Sequence, residues 1–299
     1  MQNNKIGIGL ITCDRYEFLI KSIQSVFECV KTNNKQDFHI VLVDDSETDS
    51  YAEYHSKIYA IVEEYFLSKK LDTFSLIKTT GKEGVGASKN KALNELLDKE
   101  CEHIFLMEDD VEIIDTSVFD VYIKTSKITG VKHLNFGLHG NHNKDLYGNF
   151  ITRRVINYPD NTKISLYPNI LGAFSYYHID TLKSSGLMDE QFYNALEHVD
   201  HTYQIIKNGF HPPFRWFADV FESNKLLVDI VPDHQNSKIR SQDDFMKNFL
   251  ENHAKFIKKN GFSVLNGQGP AENVYTEEEV VKSLQEIWKN HHDKSAINI

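Results

Sequence analysis

Cysteine, proline, long apolar runs and positive charge are all scarce in this sequence, and each scarcity excludes something. Three cysteines in 299 residues, Cys13, Cys29 and Cys101, form neither an even disulfide set nor a closely spaced metal-binding pair; they read as packing residues of a reducing compartment. With 6 Pro and 15 Gly, collagen-like and low-complexity architectures fall away. No stretch of about 18 apolar residues occurs, which excludes an ordinary transmembrane helix. The opening MQNNKIGIGLITCDRYEF lacks the apolar core and small-residue cleavage site of an export signal, so the expectation is a cytoplasmic protein. Lys and Arg number 33 against 43 Asp and Glu, a net charge of −10. Such a chain repels phosphate backbones and anionic membranes unless its cations cluster locally.

What is present is globular: hydrophobic residues are 40% and charged residues 25%, in a chain long enough to bury roughly three quarters of its unfolded surface. The first half alternates between two periodicities. KIGIGLIT (5–12), FHIVLVDD (38–45), FSLIKTT (74–80) and HIFLMEDD (103–110) are short, apolar and β-branched, as buried strands are. Between them, Leu19, Ile20, Ile23, Val26, Phe27 and Val30 recur at helical spacing, as do Ile58, Ile61, Val62, Tyr65 and Phe66, and a third helix is expected over 88–99. Strands separated by helices predict an α/β fold, a mostly parallel sheet covered on both faces. From about 133 the strands HLNFGL, NFITRRVINY, KISLYP and GAFSYYH are more polar and lack long helices between most of them, which predicts antiparallel additions. Residues 178–186 and 196–208 read as helices and FRWFADV (214–220) as a late strand, followed by amphipathic helices over 242–259 and 276–290. The polar stretch NSKIRSQDD suggests a boundary near 236–242: a domain over 1–236 and a helical extension over 237–299 packed on it.

Parallel sheets bind ligands beyond the carboxyl ends of their strands. That rule points to Thr12–Arg15, Asp44–Ser46, Gly84–Asn90 and Glu108–Asp110, the most chemically loaded segments of the first half. Asp44 and Asp45 offer acceptors to a ribose hydroxyl or a base N–H, or they cap a helix. In GKEGVGASKNKAL, glycines such as Gly86 allow close backbone approach, and Lys89 and Asn90 are within reach of a phosphate or base; a plain turn and helix start is the alternative. Glu108, Asp109 and Asp110 follow an apolar strand directly, and three carboxylates there call for a cation; oxygen ligands suit Mn2+ or Mg2+. Glu197, Asp200 and His201 lie within about one helical turn, so that two or three face a common cleft and one carboxylate is placed to act as a general base. His234 with Lys238 and Arg240 forms a segment suited to fold over a diphosphate and complete a metal shell. The aromatic segments LGAFSYYH and FRWF suggest either a sugar or acceptor pocket or core packing.

Taken in order over about residues 5 to 220, these segments resemble the nucleotide-sugar glycosyltransferases of the GT-A (Rossmann-like) fold, most closely glycosyltransferase family 2. GLITCDRYEFLIKSIQSV is similar to that family's opening strand and helix, VLVDDSETD to its VDDGSTD segment, and GVGASKNKAL to its G..ARN.G loop. LMEDDVEI resembles its Asp-x-Asp motif, and LGAFSYYHIDTLKSSGLMDEQF its acceptor-side GA....R......G.FDE.F stretch. The resemblance implies that Thr12, Arg15, Asp44 or Asp45, Gly86, Lys89 and Asn90 lie on the donor, with Glu108 and Asp109 against the ribose and metal waters and Asp110 on the divalent ion. It also implies acceptor contacts near Gly172, Ala173 and Phe174. Lys89 stands where the family has Arg, and Glu197–His198 where it has Glu-Asp, so the base is expected at Glu197, then Asp200, then His198. The implied activity is metal-dependent, inverting transfer of a sugar from a UDP-sugar to an acceptor hydroxyl. Lys-, Asn- and Ile-rich usage suggests a bacterial or phage-infected cell and a bacterial surface glycan as acceptor. A hydroxylated DNA base is the alternative acceptor, which would need a local basic surface such as Arg153, Arg154, Lys238 and Arg240. A sugar nucleotidyltransferase shares the sheet and metal, but TCDRYEF lacks its long glycine-rich loop.

Overall fold

The computed structural model describes residues 5–33, 37–47, 51–67, 73–230, 239–241, 243–265 and 275–296. Strands β1 (Ile6–Thr12), β2 (Phe38–Asp44), β3 (Thr73–Lys78) and β4 (His103–Glu108) run parallel, joined through helices α1 (Tyr16–Thr32), α2 (Tyr51–Leu67) and α3 (Val85–Asp98). Two further strands, β6 (His133–Asn135) and β9 (Phe174–His178), extend the sheet to the order β3-β2-β1-β4-β9-β6, with β9 antiparallel to both β4 and β6.

The central strands are largely apolar because both faces are buried. Ile8, Leu10, Ile40, Leu42, Phe105 and Met107 enter one core with Leu19, Ile23 and Val26 of α1. Val41, Val43, Ile104 and Leu106 enter the other with Ala92, Leu93 and Leu96 of α3. Neighbouring residues of one strand thus feed opposite cores, as the two-residue repeat of a strand requires.

The acidic segment departs from expectation in a way that matters. The strand ends at Glu108, Asp109 and Asp110 make a turn, and the chain continues as β5 (Val111–Ile113), which pairs antiparallel with β11 (Leu227–Asp229). The carboxylates therefore sit in a turn held from both sides, with Ile230 N donating to Asp110 O at 2.8 Å. Helix α4 (Val118–Thr129) goes beyond the expected elements. Its Val118, Val121, Ile123, Thr125, Ile128 and Thr129 are β-branched and weak helix formers. Burial of Val118, Phe119, Tyr122, Ile123, Thr125, Ser126 and Thr129 along one face outweighs that cost, and Gly130, at φ 76°, closes the helix.

The expected antiparallel additions are a second sheet, β10-β8-β7, formed by β7 (Arg154–Asn157), β8 (Lys163–Tyr167) and β10 (Phe217–Val220). Two further helices, α5 (Ile179–Ser185) and α6 (Glu197–Lys207), follow β9. Of the C-terminal helices, α7 (Phe245–Asn260) sets Phe256 against Phe192, Val199 and Phe214, and α8 (Glu277–Ala296) sets Val280, Leu284 and Ile287 into the main core. Most of the expected boundary segment 236–242 lies outside the described residues. Among those described, no helix is long and apolar enough to cross a membrane.

Candidate functional site

A cavity of about 450 Å³ opens at the carboxyl ends of β1 and β4. Its polar wall holds Thr12, Arg15, Asp45, Glu108, Asp109, Asp110, His139, Glu197 and His198; Phe214, Phe217, Phe245 and Phe249 form an apolar one. The acidic turn is organised by cations of the chain itself. Arg15, delivered to the cavity by a left-handed Asp14 (φ 52°), forms an ion pair with Asp109 and a second with Asp110 Oδ2 at 3.1 Å. Thr12 Oγ1 donates to Asp109 Oδ2 at 2.6 Å. Lys89, 1% exposed, donates to Glu108 Oε1 at 2.6 Å and to the Gly172 carbonyl at 3.0 Å.

These contacts give the three acids different characters. Burial alone would raise the Glu108 carboxyl, but Lys89 outweighs it and holds it at about 2. Burial pushes Asp109 up to about 7 against the pull of Arg15. Asp110 Oδ1 is buried without a hydrogen-bond partner among the described residues. A divalent ion fits at that atom, because an orphaned buried carboxylate oxygen is costly until a donor or cation meets it. Among the described residues no three His, Cys, Asp or Glu side chains converge as a closed cage. An ion held here would therefore need ligand oxygens and water to complete its shell, as Mg2+ and Mn2+ commonly do.

Across the cavity, α6 begins on strained backbone: Asn194 (φ 53°) and Leu196 (φ 68°) are left-handed without being glycine. That geometry puts Glu197 and His198 on the cavity wall. Glu197, 4% exposed, accepts from His198 Nδ1 at 3.0 Å, while the His198 side chain is 23% exposed. Burial would lift the Glu197 carboxyl, but His198 and Lys89 hold it below its ordinary value. Gly172 packs beneath this pair, and a Cβ there would lie 3.0 Å from His198 Cγ and 3.1 Å from Lys89 Nζ. Gly172→Ala is therefore expected to displace the imidazole and lower turnover roughly tenfold to a hundredfold. Nucleotide affinity should be kept; steady-state kinetics beside a nucleotide titration checks this.

Several expected residues are engaged elsewhere. Asp200, a candidate base, is 1% exposed and turned toward α7, where Lys259 Nζ (2.7 Å) and Asn260 Nδ2 (2.8 Å) donate to it. Asn90 binds the Met188 backbone through both ends of its amide, at 2.9 Å each, so it joins α3 to the segment before α6 and does not line the cavity. Lys89 is likewise behind Glu108 and absent from the wall. Asp44 Oδ1 accepts from Ser46 N at 2.9 Å, the capping-type alternative, whereas Asp45 reaches the wall and accepts from Gly84 N at 3.0 Å. Gly84 carries φ 96°, and its Cβ would strike the Tyr193 ring at 2.9 Å, so glycine is required there. Gly86 faces Glu197 across the α3–α6 contact and is not part of the wall. Gly172 and Ala173 line the cavity, but Phe174 is fully buried in β9, the reason being that its position in the strand points it into the core. Arg240 reaches the rim and donates to His142 Nε2 at 2.8 Å. The expected ligand His234 and its neighbour Lys238 lie outside the described residues.

The sequence reading missed His139. It follows β6 in a loop fixed by Gly137 N donating to the buried Asp219 at 2.9 Å. Its Nδ1 meets Asp229 Oδ1 at 2.6 Å, and Gly140 N donates to Asp229 Oδ2 at 2.8 Å. Burial pushes the His139 ring down, but Asp229, with Asp110 and Glu108 beyond it, raises it above its ordinary value. Asp229 lies some 90 residues away in sequence, so no local spacing could have paired them.

Similarity to known proteins follows the same architecture. The structure aligns with S. aureus TarS 1–349 at 17% identity and a TM-score of 0.52, covering 96% of this chain and 78% of that one. The same TarS fragment in complex with UDP-GlcNAc gives 15% identity, a TM-score of 0.55 and coverages of 97% and 73%. The mannosyltransferase PcManGT from Pyrobaculum calidifontis, in complex with GDP-Man and Mn2+, gives 14%, 0.54, 89% and 65%. The aligned region is 43% of the longer TarS chain. No curated protein sequence matches. Residues 8–122 match the model of glycosyl transferase family 2, and the sheet around them has the α/β fold of the aligned structures.

Proposed function

We propose that the chain moves a sugar from a UDP-sugar to an acceptor hydroxyl by a single in-line, inverting displacement that requires Mn2+ or Mg2+. One observation carries the reading: the acidic turn at Asp110 and the Glu197–His198 pair line one cavity. UDP-GlcNAc bound to TarS and GDP-Man with Mn2+ bound to PcManGT support a nucleotide-sugar donor and a divalent ion. Asp110 would hold the ion, which when bound supplies charge neutralisation for the departing diphosphate. Thr12 and Asp45, at the ends of β1 and β2, face the nucleoside. Arg15 bridges Asp109 and Asp110, offsets their mutual repulsion, and adds positive charge beside the phosphates.

The proton acceptor in this reading is His198. Glu197 accepts the Nδ1 proton, which leaves Nε2 able to take the proton of the attacking hydroxyl. The acceptor is a glycan hydroxyl rather than DNA, because the basic residues that DNA would need and that the structure describes are engaged within the fold. Arg154 pairs with Glu277, the Arg153 guanidinium stacks 5.0 Å from the Trp216 ring, and Arg240 meets His142. A bacterial surface glycan and a cytoplasmic location belong to the same proposal, the latter supported by three free cysteines.

The test is a donor screen. Turnover of a UDP-sugar with Mn2+, lost on adding EDTA and restored by excess Mn2+, is the expected result. A purified, folded protein that neither binds nor consumes UDP-sugars would overturn the proposal.

A further inference from the structure

We infer that His139, held by Asp229, is a second protein ligand of the divalent ion, beside Asp110. The inference rests on the proposed role of Asp110 and extends it to a loop that follows β6. Three placements converge. Asp229 is the cross-strand partner of Val111, and the next residue, Ile230, bonds the Asp110 carbonyl, so β11 brings Asp229 alongside the acidic turn. His139 is bound to Asp229 at 2.6 Å and lines the same cavity wall as Asp110. The Asp110 oxygen without a hydrogen-bond partner among the described residues belongs to that turn.

The chemistry of the pair fits ligation. A carboxylate that takes the Nδ1 proton fixes the tautomer, orients the ring and makes Nε2 the basic nitrogen, as in carboxylate–histidine–metal arrangements. Asp229 is itself anchored, since Gly140 N bonds its other oxygen. The loop cannot swing freely either, because Gly137 N is tied to the buried Asp219. Asp110 and His139 then supply one oxygen and one nitrogen, and diphosphate oxygens with water complete an open shell. A nitrogen ligand also predicts a bias, because imidazole binds transition-metal ions better than it binds Mg2+.

The probe is Mn2+ with UDP on the whole chain, read by titration and by electron spin-echo spectroscopy for nitrogen coupling to bound Mn2+. Wild type should show histidine nitrogen coupling, and His139→Asn should lose it. Asp229→Asn should weaken Mn2+-supported UDP binding by about 10–100-fold. UDP affinity in EDTA should stay unchanged in both variants, which also reports that they are folded. Coupling that survives in His139→Asn, or disappears only in His234→Asn, overturns the inference. So does an equal loss of UDP affinity with and without Mn2+, which would make His139 a direct phosphate contact. Failure of the underlying reading looks different: Mn2+ binding with UDP would then be insensitive to Asp110→Asn.

Discussion

Asp110→Asn is expected to reduce sugar transfer by on the order of 10³-fold while leaving the thermal midpoint nearly where it was. The two effects separate because the three adjacent acids are not equivalent. Glu108 is the partner of the buried Lys89, and Asp109 accepts from Thr12 and pairs with Arg15. Removing the Glu108 charge strands Lys89, which the fold has taken out of water, whereas Arg15 keeps Asp110 as a partner when Asp109 is lost. Glu108→Gln should therefore destabilise the fold by about 3 kcal/mol, the scale for breaking a buried ion pair. Asp110 keeps one oxygen without a protein partner and shares Arg15 with Asp109, so its loss costs the fold little. Melting curves and turnover measured on these two variants check the ranking. A loss of stability in Asp110→Asn as large as that in Glu108→Gln would mean that the carboxylate is a structural ion-pair partner and not the seat of the ion.

That ranking also marks how far the sequence could be read. The four parallel strands and the positions of the loaded loops were legible because apolar runs buried on both faces cannot hide their identity, and ligand sites follow from strand direction. At the acidic turn the sequence pointed to a divalent ion, from the cost of clustered carboxylates, and gave no sign of the chain's own cations there. Arg15 and Lys89 neutralise much of the turn from α1 and α3, and the spacing of 95 residues between Arg15 and Asp110 carries no periodic signal. Helix α4 escaped for a different reason: its β-branched content speaks for strand, and only the face it buries speaks for helix. Asp200 illustrates the converse error. At Asp200 the helical spacing correctly placed a carboxylate near Glu197, but spacing cannot say that Lys259 and Asn260 of α7 draw it to the other side. Asp200→Asn should accordingly be felt in stability before it is felt in transfer.

The second large effect belongs to the pair facing the acidic turn. His198→Ala should cost about 10²–10⁴-fold in turnover, the range for a positioned general base. Glu197→Gln should cost a comparable factor although it preserves shape, because the amide can offer its N–H to Nδ1. That hydrogen bond would favour a proton on Nε2, the nitrogen that must be basic, and the same reversal of tautomer is damaging when the carboxylate of a Ser-His-Asp triad becomes an amide. If the two side chains act as one device, their effects will not add: the double variant should be little worse than either single one, since a base without its orienter and an orienter without its base are both idle. The original sequence expectation, Glu197 as the base itself, makes a different forecast. His198→Ala would then retain most turnover and Glu197→Gln alone would abolish it. Geometry favours the first outcome, because Glu197 is 4% exposed and its Oε1 already accepts from His198, whereas the imidazole is the more exposed member of the pair on the cavity wall. Donor affinity serves as the control: both variants should bind UDP as wild type does, since neither residue contributes to the acidic turn.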